Sequence, residues 1–130
     1  MIELVVRLIL AVGLGGIVGI ERELVHKPAG LRTHMLVSLG SCLFTIISIY
    51  DFQLDPARIA AGIVAGIGFI GAGAVIAERG RVVGITTAAS LWVTASIGLA
   101  TGVGNYVLSV TTTFLVFTIL FMRKILKRQE

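Results

Sequence analysis

The chain has 130 residues, 56% of them hydrophobic and 14% charged, with a mean hydropathy of +1.00 and a formal net charge of +4. Charged residues make up about 25% of an ordinary soluble domain, so a single soluble domain is excluded. The basic balance does not indicate nucleic acid, because aromatic residues are few and the basic residues form no single patch. Cys42, the lone cysteine, sits in an apolar stretch; it offers no disulfide framework and no cluster of thiolate metal ligands, and reads as packing.

Hydrophobic blocks run over 4–20, 35–50, 59–77, 85–103 and 106–122. Blocks of that length cross a hydrocarbon core of roughly 30 Å as helices rising about 1.5 Å per residue. They predict an all-α integral membrane protein, a bundle of about five transmembrane helices with a glycine-rich third helix. Residues 1–122 form one polytopic domain and 123–130 a basic tail. The first block begins at Met1 with Glu3 and Arg7 near its start and lacks the cleavage site of a removable signal, so it is expected to stay as a span.

The first connection, "ERELVHKPAGLRTH", holds Glu21, Arg22, Glu23, His26, Lys27, Arg32 and His34, with Pro28 and Gly30 marking a turn. It reads either as a solvated linker or as an ion-paired site for phosphate, a lipid headgroup or a partner's carboxylate, with Arg32 as the expected anion contact. In the second block His34, Ser38, Ser41, Thr45 and Ser48 recur every three or four residues, within about 80° of one another on a helix. Such hydroxyls either bond to carbonyls of their own or a neighbouring helix, or line a hydrated path. At the far end of this block Asp51 and Asp55 stand near Arg58, and Pro56 opens the third helix with Asp55 as its expected N-cap. Capping explains Asp55; the pair of carboxylates can also form a mouth that captures Mg²⁺ weakly through hard oxygen ligands.

The third block contains "GIGFIG", Gly66 to Gly71, which spells a dinucleotide-binding fingerprint, yet it lies in a charge-free run from Ile59 to Ala77 with no strand before it. No nucleotide is expected there. On a helix Gly62, Gly66 and Gly73 share one face and Gly68 and Gly71 lie nearly opposite, which suits close packing between two neighbours or a broken helix that exposes backbone to an ion. In the fourth block Thr87, Ser90, Thr94 and Thr101 form a second polar stripe, with Trp92 beside it reading as packing. No Asp, Glu, Lys or Arg falls in the middle of a block, which argues against a proton-coupled pump. The connections alternate between base-rich (Arg22, Lys27, Arg32; Arg79, Arg81; the tail with Arg123, Lys124, Lys127 and Arg128) and base-poor (Arg58 alone; none at Gly104 and Asn105). The positive-inside rule then places the N-terminus outside and the C-terminus in the cytoplasm, with Tyr50 and Tyr106 at the outer boundary.

"GLGGIVGIERE", "AGLRTHMLVSLGSCLF", "DPARIAAGIVAGIGFIGAGAVI" and "VVGITTAASLWVTASIGLATGVG" together resemble the membrane domain of the MgtC/SapB family. The resemblance covers nearly the whole chain, and its most specific elements are Arg58 to Ala61, Gly66 to Gly73 and Thr87 to Trp92, joined by the Glu21–Arg22 pair and Ala29 to Thr33. It is to the short SapB-like form, or to a longer member cut at that point, without the soluble C-terminal domain of virulence-associated members. The resemblance implies a bacterial inner-membrane protein linked to survival in low magnesium and, in pathogens, to virulence. Two mechanisms are implied: regulation through contacts with a membrane partner such as the ATP synthase, or an oligomeric channel or transporter for Mg²⁺ or another ion. The lipid bilayer and further copies of the chain are the expected partners; no cofactor and no enzymatic activity is expected, since no catalytic or metal-binding constellation stands out.

Overall fold

A computed structural model describes residues 1–53, 55–78 and 81–127. Five helices dominate it: α1 (Ile2–Leu24), α2 (Leu31–Asp51), α3 (Pro56–Gly73), α4 (Ile85–Gly102) and α5 (Tyr106–Lys127). Each is long and apolar enough to cross a membrane, and a helix satisfies its own backbone groups where lipid offers no hydrogen bonds. Arg79 and Arg128, two of the bases that set the expected orientation, lie outside the described residues.

The third helix is shorter than its apolar run. It stops at Gly73, and the next residues form a two-stranded antiparallel hairpin, β1 (Ile76–Glu78) with β2 (Arg81–Val83), in the register Ile76 to Val83 and Glu78 to Arg81. The reason is local: Val75, Ile76, Val82 and Val83 are β-branched and favour a strand as much as a span. Gly84 then turns the chain into α4 at φ +93°, a left-handed conformation, with its backbone against the carbonyl of Ala74. A side chain there would be strained and would strike that carbonyl.

Helix α2 lies at the centre, between α1 and α4. Gly15 and Gly19 of α1 meet its first turns: a Cβ at Gly15 would stand 2.7 Å from the His34 carbonyl oxygen, and one at Gly19 would stand 2.8 Å from the Leu31 Cα. Gly98 and Gly102 of α4 meet its other side, at the Ser38 carbonyl oxygen and at Cys42 and Thr45. Both pairs are spaced i, i+4, so each presents one smooth face that lets two backbones touch. Helix α5 closes the bundle through Leu14, Val18, Ile97, Val116 and Leu120. Helix α3 rests on α4 through Ile67 and Gly71, the buried residues among its eighteen.

Candidate functional site

The two expected polar stripes come together. Ser38, Ser41, Thr45 and Ser48 of α2 and Thr87, Ser90, Thr94 and Thr101 of α4 are all buried, and His34 is wholly so. His34 bridges the helices: its Nδ1 lies 2.8 Å from the Gly30 carbonyl, which can only accept, and its Nε2 lies 2.8 Å from the Ser90 hydroxyl. One turn and more along, Ser41 donates across to the Ala95 carbonyl at 2.6 Å. These two bonds make a polar seam running along the α2–α4 contact.

The seam is closed along its middle. Thr45, Thr94 and Thr101 spend their protons on carbonyls of their own helix, the first two at 2.8 and 2.6 Å; Ser90 has both the Thr87 carbonyl and His34 Nε2 within reach of its one proton, and Ser48 reaches the Pro56 carbonyl. Where Gly98 and Gly102 meet α2, a single added carbon would collide with backbone. Ser38 Oγ, by contrast, is buried without a hydrogen-bond partner among the described residues.

At the α1 end of the seam stand Glu21 and Arg22. Glu23 is adjacent to them; its carboxylate caps α2 by accepting from the Leu31 amide at 3.1 Å, and Gly30 leaves the room for it to do so. Arg22 is 1% exposed and donates from Nε to Glu21 Oε2 at 2.6 Å. Lys27 is half-buried and Arg32 exposed, so of the expected charged site only Glu21, Arg22 and His34 belong to the interior.

The other expected residues lie apart from the seam. Asp51, Asp55 and Arg58 are exposed near the ends of α2 and α3; Asp55 occupies the N-cap position without a side-chain cap bond and pairs instead with Arg58 at 3.2 Å. Among the described residues no group of three or more His, Cys, Asp or Glu is placed to hold a metal ion. Helix α3 runs unbroken, so its glycines do not interrupt it, and Gly62, Gly66, Gly68 and Gly73 have no neighbour within 4 Å of an added Cβ; Gly71 meets Ala88 at 3.6 Å. Gly62 and Gly66 instead line an open apolar groove of about 720 Å³ between α2 and α3, floored by Ala95. Close glycine packing therefore falls on α2. Trp92 is also exposed, turned away from the interior where packing had been expected.

Three features are not among the expected sites. Arg7 is buried in α1 and donates from Nη1 to the Gly102 carbonyl at 2.9 Å and from Nη2 to Glu3 at 2.9 Å, clasping the end of α4. Its signal is the Glu3–Arg7 pair at i, i+4 inside an apolar run. The Gly15/Gly19 and Gly98/Gly102 pairs show the same spacing as Gly62/Gly66, which the longer glycine run of the third block obscures. On α5 Ser109 and Thr113 are buried as a third, shorter stripe, bonded to their own helix.

The MgtC family model matches residues 8–129. The chain is 49% identical over 117 residues to the "putative magnesium transporter YhiD" of Escherichia coli K12, covering 83% of this chain and 54% of that protein. It is 40% identical over 114 residues to protein SapB of Bacillus subtilis, covering 80% and 49%. Protein MgtC of Salmonella typhimurium is 40% identical over 116 residues, covering 89% and 50%. The chain thus spans about half the length of these relatives, SapB included. No solved structure matches it.

Proposed function

This chain belongs to the MgtC family, and on that premise we propose that it is a magnesium-linked protein of the bacterial inner membrane that acts by regulating a membrane partner. The membrane character rests on five apolar helices and the family; the magnesium link rests on the name of one relative, a putative magnesium transporter. The orientation follows the alternating bases, with the N-terminus outside and the C-terminus in the cytoplasm. One observation favours regulation over conduction: the polar seam is shut where Gly98 and Gly102 meet α2, and a contact too tight for one added carbon leaves no passage for a hydrated cation. The surface left for a partner or a second copy is the open glycine face of α3, Gly62 and Gly66 above all.

A second reading keeps the ion. The same open face of α3 lies in the helix that begins beside Asp51, Asp55 and Arg58, so an oligomer can enclose a cation path between copies, with those carboxylates at its mouth. Growth separates the readings. In cells lacking their own copy and limited for Mg²⁺, the wild-type chain should restore growth, Gly62→Leu/Gly66→Leu should fail at normal protein levels, and Asp51→Asn/Asp55→Asn should succeed. Full growth with the leucine pair would remove the α3 surface from the function, and failure of the asparagine pair alone would favour the ion path.

A further inference from the structure

Arg22 is the least satisfied charge in the interior. Its Nε is taken by Glu21, but Nη1 and Nη2 are buried with no hydrogen-bond partner among the described residues. A guanidinium cannot shed this deficit by losing its proton, and it has no acceptor of its own. Thr87, 1% exposed, has an Oγ1 in the same condition.

These two residues occupy one layer of the bundle. Gly15 meets His34 and Ser38 of α2, and Gly19 meets Leu31 and His34, so α1 and α2 run antiparallel. Arg22, one turn beyond Gly19, therefore falls below His34 toward the α1–α2 connection. The His34–Ser90 bond sets the level of α4, and Thr87, one turn before Ser90, falls below His34 as well. Thr87 also sits in the first turn of α4, whose N-cap is Gly84 and carries no side-chain cap. The free amides and the dipole of that end favour negative charge.

We propose that this layer binds an oxyanion of the phosphate class, held end-on by Nη1 and Nη2 of Arg22 and by the Thr87 hydroxyl. The guanidinium can only donate, so the missing partner of Arg22 is an acceptor, and the Thr87 hydroxyl can donate to the same one. The free end of a guanidinium is a two-pronged donor that matches two oxygens of one tetrahedral anion. Glu21 does not occupy that end, because it engages the side of the guanidinium through Nε. Arg32, the expected anion contact, is exposed and is not one of these buried donors. This inference is independent of the magnesium reading.

The test is titration of the purified full chain with inorganic phosphate by calorimetry, paired with native mass spectrometry after transfer from vesicles of phosphatidylcholine with or without phosphatidylglycerol. Saturable binding of phosphate, or retention of phosphatidylglycerol over phosphatidylcholine, is expected; the first assigns a free anion and the second a lipid headgroup. Arg22→Gln should reduce it at least tenfold, and Arg32→Gln should leave it unchanged. Thr87→Val is the control against misfolding: its hydroxyl has no partner among the described residues, so thermal stability without phosphate should hold while affinity falls severalfold. No saturable binding of either probe by folded protein, or binding indifferent to both Arg22→Gln and Thr87→Val, would overturn the proposal.

Discussion

Single hydroxyls in the seam differ in worth according to where their protons go. Ser41 donates across the α2–α4 contact to Ala95, whereas Thr45 donates to its own helix. A hydrogen bond between membrane helices contributes roughly 0.6 kcal/mol and at most about 1.7. Ser41→Ala is therefore expected to destabilise the bundle by about that amount, and Thr45→Val by less, in reversible unfolding from mixed micelles. Equal losses would mean that the cross-helix bond is not what Ser41 contributes. Arg7 carries more, because it is buried and holds a carbonyl at the end of α4; Arg7→Met frees that carbonyl and Glu3 together and should cost about 1–3 kcal/mol. The stripe of α2 was legible in the sequence because its spacing places all five polar residues on one side of a helix. The role of Arg7 was not, since a base near the start of an apolar block usually marks only the membrane boundary.

At the level of elements, glycine has two meanings in this chain, and substitution should separate them. Gly98 and Gly15 lie against backbone, so Gly98→Val or Gly15→Val should prevent α2 from seating and abolish a folded, monodisperse protein. Gly68 and Gly73 meet nothing within 4 Å, so alanine there should stabilise α3 by up to about 0.5–1 kcal/mol through helix propensity. A thermal-unfolding series in one detergent checks both, and a loss of fold with Gly68→Ala would contradict the open face. The sequence showed smooth faces on the third helix but not which glycines have a neighbour, because a small residue is equally small against a helix and against lipid. It also extended the third helix through Ala77, since Val75 and Ile76 are as apolar in a strand as in a span, and the turn-forming Gly84 comes after them.

The whole molecule combines a shut polar interior with an exposed third helix, on which Phe69 stands out beside the open glycines. Five helices were legible from apolar blocks and the family from its short motifs, while the closure of the seam was not, because it depends on Gly98 and Gly102 meeting α2 across sequence distance. Regulation without conduction is the central claim for mechanism, supported by that closure, and Mg²⁺ entry into sealed liposomes tests it most directly, read by a trapped indicator with the purified chain folded and oriented. Entry no faster than in empty liposomes is the expected result. Entry well above that background, reduced by Asp51→Asn/Asp55→Asn, would contradict it and make the protein a cation pathway.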